Sequence, residues 1–284
     1  MMPNLNPAGF VAVGITVMSA ILDILLLHLS VKVRPITRDI KYIQVIAIIE
    51  LIAPFVGVTD VIITTMHDND AILTPNLCQY LGFFSVLVLF LQIIFNALLA
   101  IERYSNIMKF HYNNYLILIV IMLSLLYIGL SSYLAFSMEF IPNASGIICF
   151  IFPFKSTVST ITFYYFMTIT LISAITIIYC YSKLAIYTYK LDKFIPIGAF
   201  YRIILLILLY AMCMFSAMVF YLTESSLSLF TPFNDSTIIG VSSAATLLAT
   251  TGILLNSLLV LTMHTAINKE LRLLFRKIRH RLPF

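Results

Sequence analysis

The sequence predicts an all-α membrane protein: a seven-transmembrane helix bundle with its N-terminus outside and a short amphipathic cytoplasmic eighth helix. Three observations lead there. Of the 284 residues, 61% are hydrophobic and only 10% are charged, whereas charged residues make up roughly 25% of an average soluble domain. The apolar residues gather into seven runs, each long enough to cross a bilayer as a helix, which takes roughly 20 residues. The basic residues fall almost wholly on one side of those runs.

The runs lie at about 9–30, 42–66, 79–103, 114–136, 158–183, 201–222 and 237–263. Hydrocarbon offers the backbone no hydrogen-bond partner, so such runs must be helical. Barrel strands would show short alternating segments instead. No internal repeat or low-complexity linker interrupts them, so residues 1–284 read as one membrane domain. The first run has no basic region before it and is followed by Lys32, Arg34, Arg38 and Lys41. That pattern predicts a retained signal anchor with its head outside.

Of the 17 Lys and Arg, all but Lys155 fall in the first, second and third alternate loops or in the tail. Positive residues stay cytoplasmic, which places the N-terminus outside. The sequons at Asn143 and Asn234 fall in loops on the opposite side, so both are expected glycosylation sites. Over about 267–281, Leu271, Leu274, Phe275 and Ile278 recur at helical spacing. Lys269, Arg272, Arg276, Lys277 and Arg279 lie mostly on other faces. A helix of this kind lies at the membrane surface against anionic lipid. The net charge of +5 therefore reflects orientation in a membrane, and no nucleic-acid partner is expected. The four cysteines are too few and scattered for a disulfide scaffold or zinc site. No HExxH, CxxC or phosphate-cradling glycine motif is present, so no catalytic residue, metal or cofactor is expected.

Helix 3 ends in Ala100-Ile101-Glu102-Arg103-Tyr104, Cys78 lies twenty-five residues before Arg103, and Cys149 precedes helix 5. Motif and spacing together resemble the rhodopsin-like (class A) G-protein-coupled receptors. Other positions fit the same register. Asp23 stands where that family has a helix 1 asparagine, and Glu50, twenty-seven residues on, where it has a helix 2 aspartate. Tyr210 to Ser216 resembles the family's helix 6 motif, with Met214 and Ser216 in place of its Trp and Pro. Asn256-Ser257-Leu258-Leu259-Val260 stands for the helix 7 Asn-Pro-x-x-Tyr. Counting back from Asn268-Lys269-Glu270-Leu271-Arg272, which resembles the start of the family's eighth helix, places that motif at Val260 to His264 instead. The sequence has no tryptophan, so the resemblance is to a divergent member and is best carried by helices 1 to 3.

The resemblance implies a set of roles. Glu102, Arg103 and Tyr104 would form the G-protein coupling switch, with Glu102 the resting partner of Arg103. Activation would turn Arg103 toward Tyr179 or Tyr181. The plainer alternative makes Arg103 a positive flank at a membrane boundary. No acid stands near Pro196 at the base of helix 6, which implies a weak resting lock and basal signalling. Cys78 and Cys149 would form a disulfide on the oxidising side. Cys180 and Cys213 read as small packed hydrophobes. Acids inside spans are costly and face the interior; Asp23 and Glu50 would join Gln92, Asn96 and Asn256 in a buried polar cluster. Sodium near Glu50 fits poorly, because glutamate is longer than the usual aspartate and Gln92 replaces a serine. A protonated Glu50 hydrogen-bonded inside the bundle is the alternative.

The candidate ligand pocket holds Asp60, Ser85 and Met214, with the alternative that Asp60, near the outer end of helix 2, simply reaches headgroup water. Ser85 occupies the position where amine receptors carry an aspartate, which argues against an aminergic ligand. Helix 7 has no lysine, so no retinal Schiff base can form. The implied function is a plasma-membrane receptor that binds a small extracellular ligand and activates a heterotrimeric G protein. The runners-up are a seven-helix small-molecule transporter and a chemosensory receptor that signals without a G protein. Transporters usually carry repeats and broken helices, and neither is evident. An intramembrane enzyme would need clustered catalytic or metal-binding groups at a common depth, whereas the histidines lie at helix ends, loops or the tail.

Overall fold

The computed structural model describes residues 7–67, 75–109, 115–142, 149–151, 153, 155–191, 197–227 and 236–281. These form α1 (Pro7–Lys32), α2 (Arg38–His67), α3 (Pro75–Met108), α4 (Tyr115–Phe136), β1 (Phe140–Pro142), β2 (Cys149–Ile151), α5 (Thr157–Leu191), α6 (Ile197–Leu227), α7 (Ser236–Met263) and α8 (Thr265–Arg281). Six of the seven predicted apolar runs lie within one helix each, and the run at 114–136 begins one residue ahead of α4, outside the described residues. Several helices run further than the runs, because polar residues such as Glu224 on α6 continue the turns after hydropathy falls.

Consecutive helices pack side by side and α7 returns to α1, so α1 to α7 close a ring. Within it α3 also packs on α5 and carries both strands. Two apolar cores fill the ring. The larger joins α3, α4, α5 and α6 around Phe90, which stacks on Tyr127 at 3.9 Å. The smaller joins α1, α2, α7 and α8 around Leu29, Ile43 and Ile267.

Large apolar side chains also cover the outside. Ile21 and Ile24 on α1, Met122 and Leu125 on α4, and Leu208 and Met212 on α6 are all exposed. A soluble protein does not present patches of this extent to water. Among the described residues, α1, α3, α4, α5, α6 and α7 are each long and apolar enough to cross a membrane. The chain is a multi-pass membrane protein. α2, which carries Asp39, Lys41, Glu50 and Asp60, is not among those six.

One end of the ring is capped by the antiparallel pair β1–β2, with Ile141 opposite Phe150. Three devices dock it on α3. The Cys78–Cys149 disulfide joins chain segments 71 residues apart. Gln79 donates to the Phe140 carbonyl at 2.8 Å and accepts from the Phe140 amide at 2.9 Å. Gly82 leaves room for the Phe140 ring, which a Cβ there would meet at 2.5 Å. Beside it, Ser156 caps α5 by accepting from the Ser159 amide, while the Ser159 hydroxyl accepts from the Ser156 amide. Ser156 also donates to Glu139, just ahead of β1. At the opposite end α3 closes with Lys109 in the left-handed conformation, and α8 leaves α7 to pack on α1.

Candidate functional site

The deepest polar feature joins α1, α2, α3 and α7. Asp23 is fully buried and Glu50 is 1% exposed. Glu50 Oε1 accepts from Gln92 Nε2 at 2.8 Å and from Asn256 Nδ2 at 3.3 Å. The Ser257 hydroxyl lies 3.0 Å from Glu50 Oε2 and 2.9 Å from Asp23 Oδ1. Ser19 donates to Asp23 Oδ2 at 3.4 Å. All four carboxyl oxygens are thus engaged by side chains. A hydroxyl has one proton to donate, so Ser257 can bond both carboxyls only if one of them carries a proton and donates back. Two adjacent carboxylates at low dielectric repel each other, and no Lys, Arg or His contacts them among the described residues.

Asn256, and not Val260, is the helix 7 residue that meets Glu50. Asn96 is buried nearby on α3 but bonds to none of the others, and its Oδ1 has no partner among the described residues. Ser257 and Ser19 were not singled out from the sequence.

Next to this cluster lies a cavity of about 50 Å³ between α3, α5, α6 and α7. Gln92, Asn96 and Asn256 line it from the cluster side, and Phe150, Met214 and Tyr221 line it elsewhere. Phe150 follows Cys149, so the disulfide and the β-pair hold its ring in the wall. There it stacks on Tyr221 at 5.2 Å and meets Phe166 edge-on at 6.0 Å. Met214 fits because Gly252 faces it; a Cβ at Gly252 would come within 2.8 Å of Met214 Sδ. Ser85 is half-buried on α3 and is not among the lining residues. It sits on the turn of α3 before the lining residue Leu89. Asp60 lies in α2, with its side chain outside the described residues.

The α8 end holds the second group. Arg103 is buried, and its guanidinium sits over the ring of buried Tyr181 at 5.8 Å, a cation–π arrangement. Its Nη1 has no hydrogen-bond partner among the described residues. The expected Glu102–Arg103 pair is not formed. Glu102 faces α2 instead, 3.9 Å from Arg38, and accepts from Asn106 at 3.4 Å. Adjacent residues on a helix point about 100° apart, so a side chain aimed at α2 cannot also reach one aimed at α5. Of the two tyrosine candidates, Tyr181 meets Arg103, while exposed Tyr179 packs against Tyr104 at 6.1 Å.

One pair at this end was missed. Asp39 accepts from His264 at 2.9 Å, tying the start of α2 to the α7–α8 junction. Burial alone would raise the Asp39 carboxyl, but hydrogen bonds from His264 and Thr37, the His264 charge and the Ile40 amide outweigh it and hold it at about 2. Leu271 and Leu274 of α8 pack against the smaller core. Cys180 is buried and Cys213 partly buried, both as free thiols. Asn143 and Asn234 lie outside the described residues.

No family model matches the sequence, and no curated protein matches it. Among solved structures, the crystal structure of squid rhodopsin is similar with a TM-score of 0.58. The match covers 98% of this chain and 87% of that one at 13% sequence identity. The chain therefore has a rhodopsin-like fold, the fold of class A G-protein-coupled receptors.

Proposed function

We propose that the protein is a receptor that binds a small extracellular ligand and activates a heterotrimeric G protein. The observation that carries this reading is Arg103. In a rhodopsin-like bundle, a buried arginine stacked on Tyr181 keeps one guanidinium nitrogen unpartnered among the described residues at the end opposite the capped cavity. A buried donor without a partner is costly, so an arriving acceptor from a G protein has a ready contact there.

The arrangement supports a population shift between two states. The cavity wall and the buried acids share Gln92 and Asn256, and the acids hold α1, α2 and α7 together. A ligand that moves those side chains changes how α7 sits on α1 and α2. The Asp39–His264 pair passes any shift of the α7–α8 junction to α2, and α2 touches Glu102 through Arg38. With Glu102 facing α2, Arg103 is not locked by its neighbour, which favours measurable basal activity.

In this reading α2 is the seventh span, the N-terminus lies outside and α8 lies on the cytoplasmic leaflet against anionic lipid. The compartment is the plasma membrane, with Asn143 and Asn234 on the outer side available to glycosylation. The chain carries no catalytic role. The test is nucleotide exchange on a panel of G proteins, using membranes with and without the protein. Basal exchange above empty membranes supports the reading. Flux of solutes through sealed vesicles, with no exchange, would support a transporter instead.

A further inference from the structure

The cavity has two unlike sides. Ile93, Phe150, Phe166, Met214 and Met218 make an apolar wall, and no charged side chain lines the space. Facing in from α3 and α5 are Gln92, Asn96 and Thr170, each no more than 4% exposed. Each carries a buried oxygen without a hydrogen-bond partner among the described residues: Gln92 Oε1, Asn96 Oδ1 and Thr170 Oγ1.

Folded proteins rarely leave such atoms unpaired, and each costs about 1–3 kcal/mol when they do. Thr170 departs from its own helix in this respect. Thr162, Thr168 and Thr176 on α5 all donate to the carbonyl four residues back, as threonines in apolar helices commonly do, and Thr170 does not. The two amide oxygens can only accept. Gln92 is held in that orientation because its amide nitrogen donates to Glu50. Among the described residues the two amide oxygens thus lack a donor, and the Thr170 hydroxyl, which can donate or accept, lacks a partner of either kind.

We infer that the cavity takes an uncharged, mainly apolar ligand that presents O–H or N–H donors to Gln92, Asn96 and Thr170. A cation finds no carboxylate in the wall, because the nearby Glu50 already accepts from Gln92 and Asn256. An anion meets two carbonyl oxygens. An apolar molecule without donors leaves both amide oxygens unpaired. Met214 and Met218 can change rotamer to admit ligands larger than the space in the resting bundle. The ligand class deepens the receptor reading and rests on it for its signalling role, but binding itself is measured without a G protein, so the two fail separately.

The test uses the full chain in lipid nanodiscs and four toluenes that differ in the para substituent: p-cresol, 4-methylanisole, 4-methylbenzoate and 4-methylbenzylammonium. Affinity is read from the concentration dependence of the thermal midpoint. The phenol is expected to bind at least about five-fold tighter than the ether, the ratio that about 1 kcal/mol of hydrogen bond gives, and tighter than either ion. Thr170→Val, nearly the same shape, and Asn96→Leu should each reduce that preference toward unity. If Asn96→Leu does not fold, Thr170→Val decides alone. Equal binding of phenol and ether, tighter binding of either ion, a preference untouched by Thr170→Val, or no binding by any probe would overturn the inference; the last would mean that the cavity holds only water.

Discussion

Gln92 of α3 donates its amide to Glu50 of α2 at 2.8 Å and at the same time lines the cavity beneath Phe150. One side chain thus belongs to both the ligand-facing wall and the buried acids. Replacing Gln92 by Leu removes one of two amide donors from Glu50 Oε1 and should cost about 1–3 kcal/mol. Thermal unfolding in nanodiscs measures it; a midpoint equal to the parent's would mean that the bond contributes nothing.

The hydroxyl bridge of Ser257 between Asp23 and Glu50 predicts one shared proton on the acid pair. Glu50→Gln supplies the same hydrogen-bond pattern, with its carbonyl accepting from Gln92 and Asn256 and its amide donating to Ser257. It should fold with a stability within about 1 kcal/mol of the parent. Glu50→Leu strands Gln92, Asn256 and Ser257 and should lose about 3 kcal/mol or more. Comparable losses in the two variants would argue against a shared proton.

The disulfide holds Phe150 in the cavity wall as well as closing a 71-residue separation. Cys149→Ala should destabilise by about 2–5 kcal/mol. It should also weaken p-cresol binding, whereas Cys180→Ala, remote from the β-pair, should not. Midpoints and probe affinities of the two variants make the comparison.

The Asp39–His264 pair gives a pH dependence with a definite sign. Asp39 is held at about 2 in the folded protein against an ordinary 3.8. Its contribution is therefore fully present above about pH 4 and is lost as pH falls toward 2. Asp39→Asn should lower the thermal midpoint at pH 6 and flatten its fall between pH 4 and pH 2. A parent and variant with parallel curves over that range would show that the pair adds no stability.

How far these features were legible depends on what each residue costs in a membrane. Glu50, Asp23, Gln92 and Asn256 stand out because a polar group inside an apolar run must find partners. Ser257 and Ser19 do not, since a serine in such a run can satisfy itself on the carbonyl of the preceding turn. Arg38–Glu102 and Asp39–His264 join distant segments, so their pairing follows from helix rotation and packing, which hydropathy does not encode. Arg103 was legible as a motif, but its neighbour's turn toward α2 was not. Glu224 is buried yet lies beyond the sixth run, because apolar character ends before it while the helix continues to Leu227.

The most direct test of the receptor reading is nucleotide exchange on G proteins by membranes carrying the parent or Arg103→Ala. The account predicts basal exchange above empty membranes in the parent and its loss in the variant, with the variant still folded by thermal midpoint. Exchange that persists unchanged in Arg103→Ala would contradict the role given to the arginine, and absence of exchange across the whole panel would contradict the coupling itself.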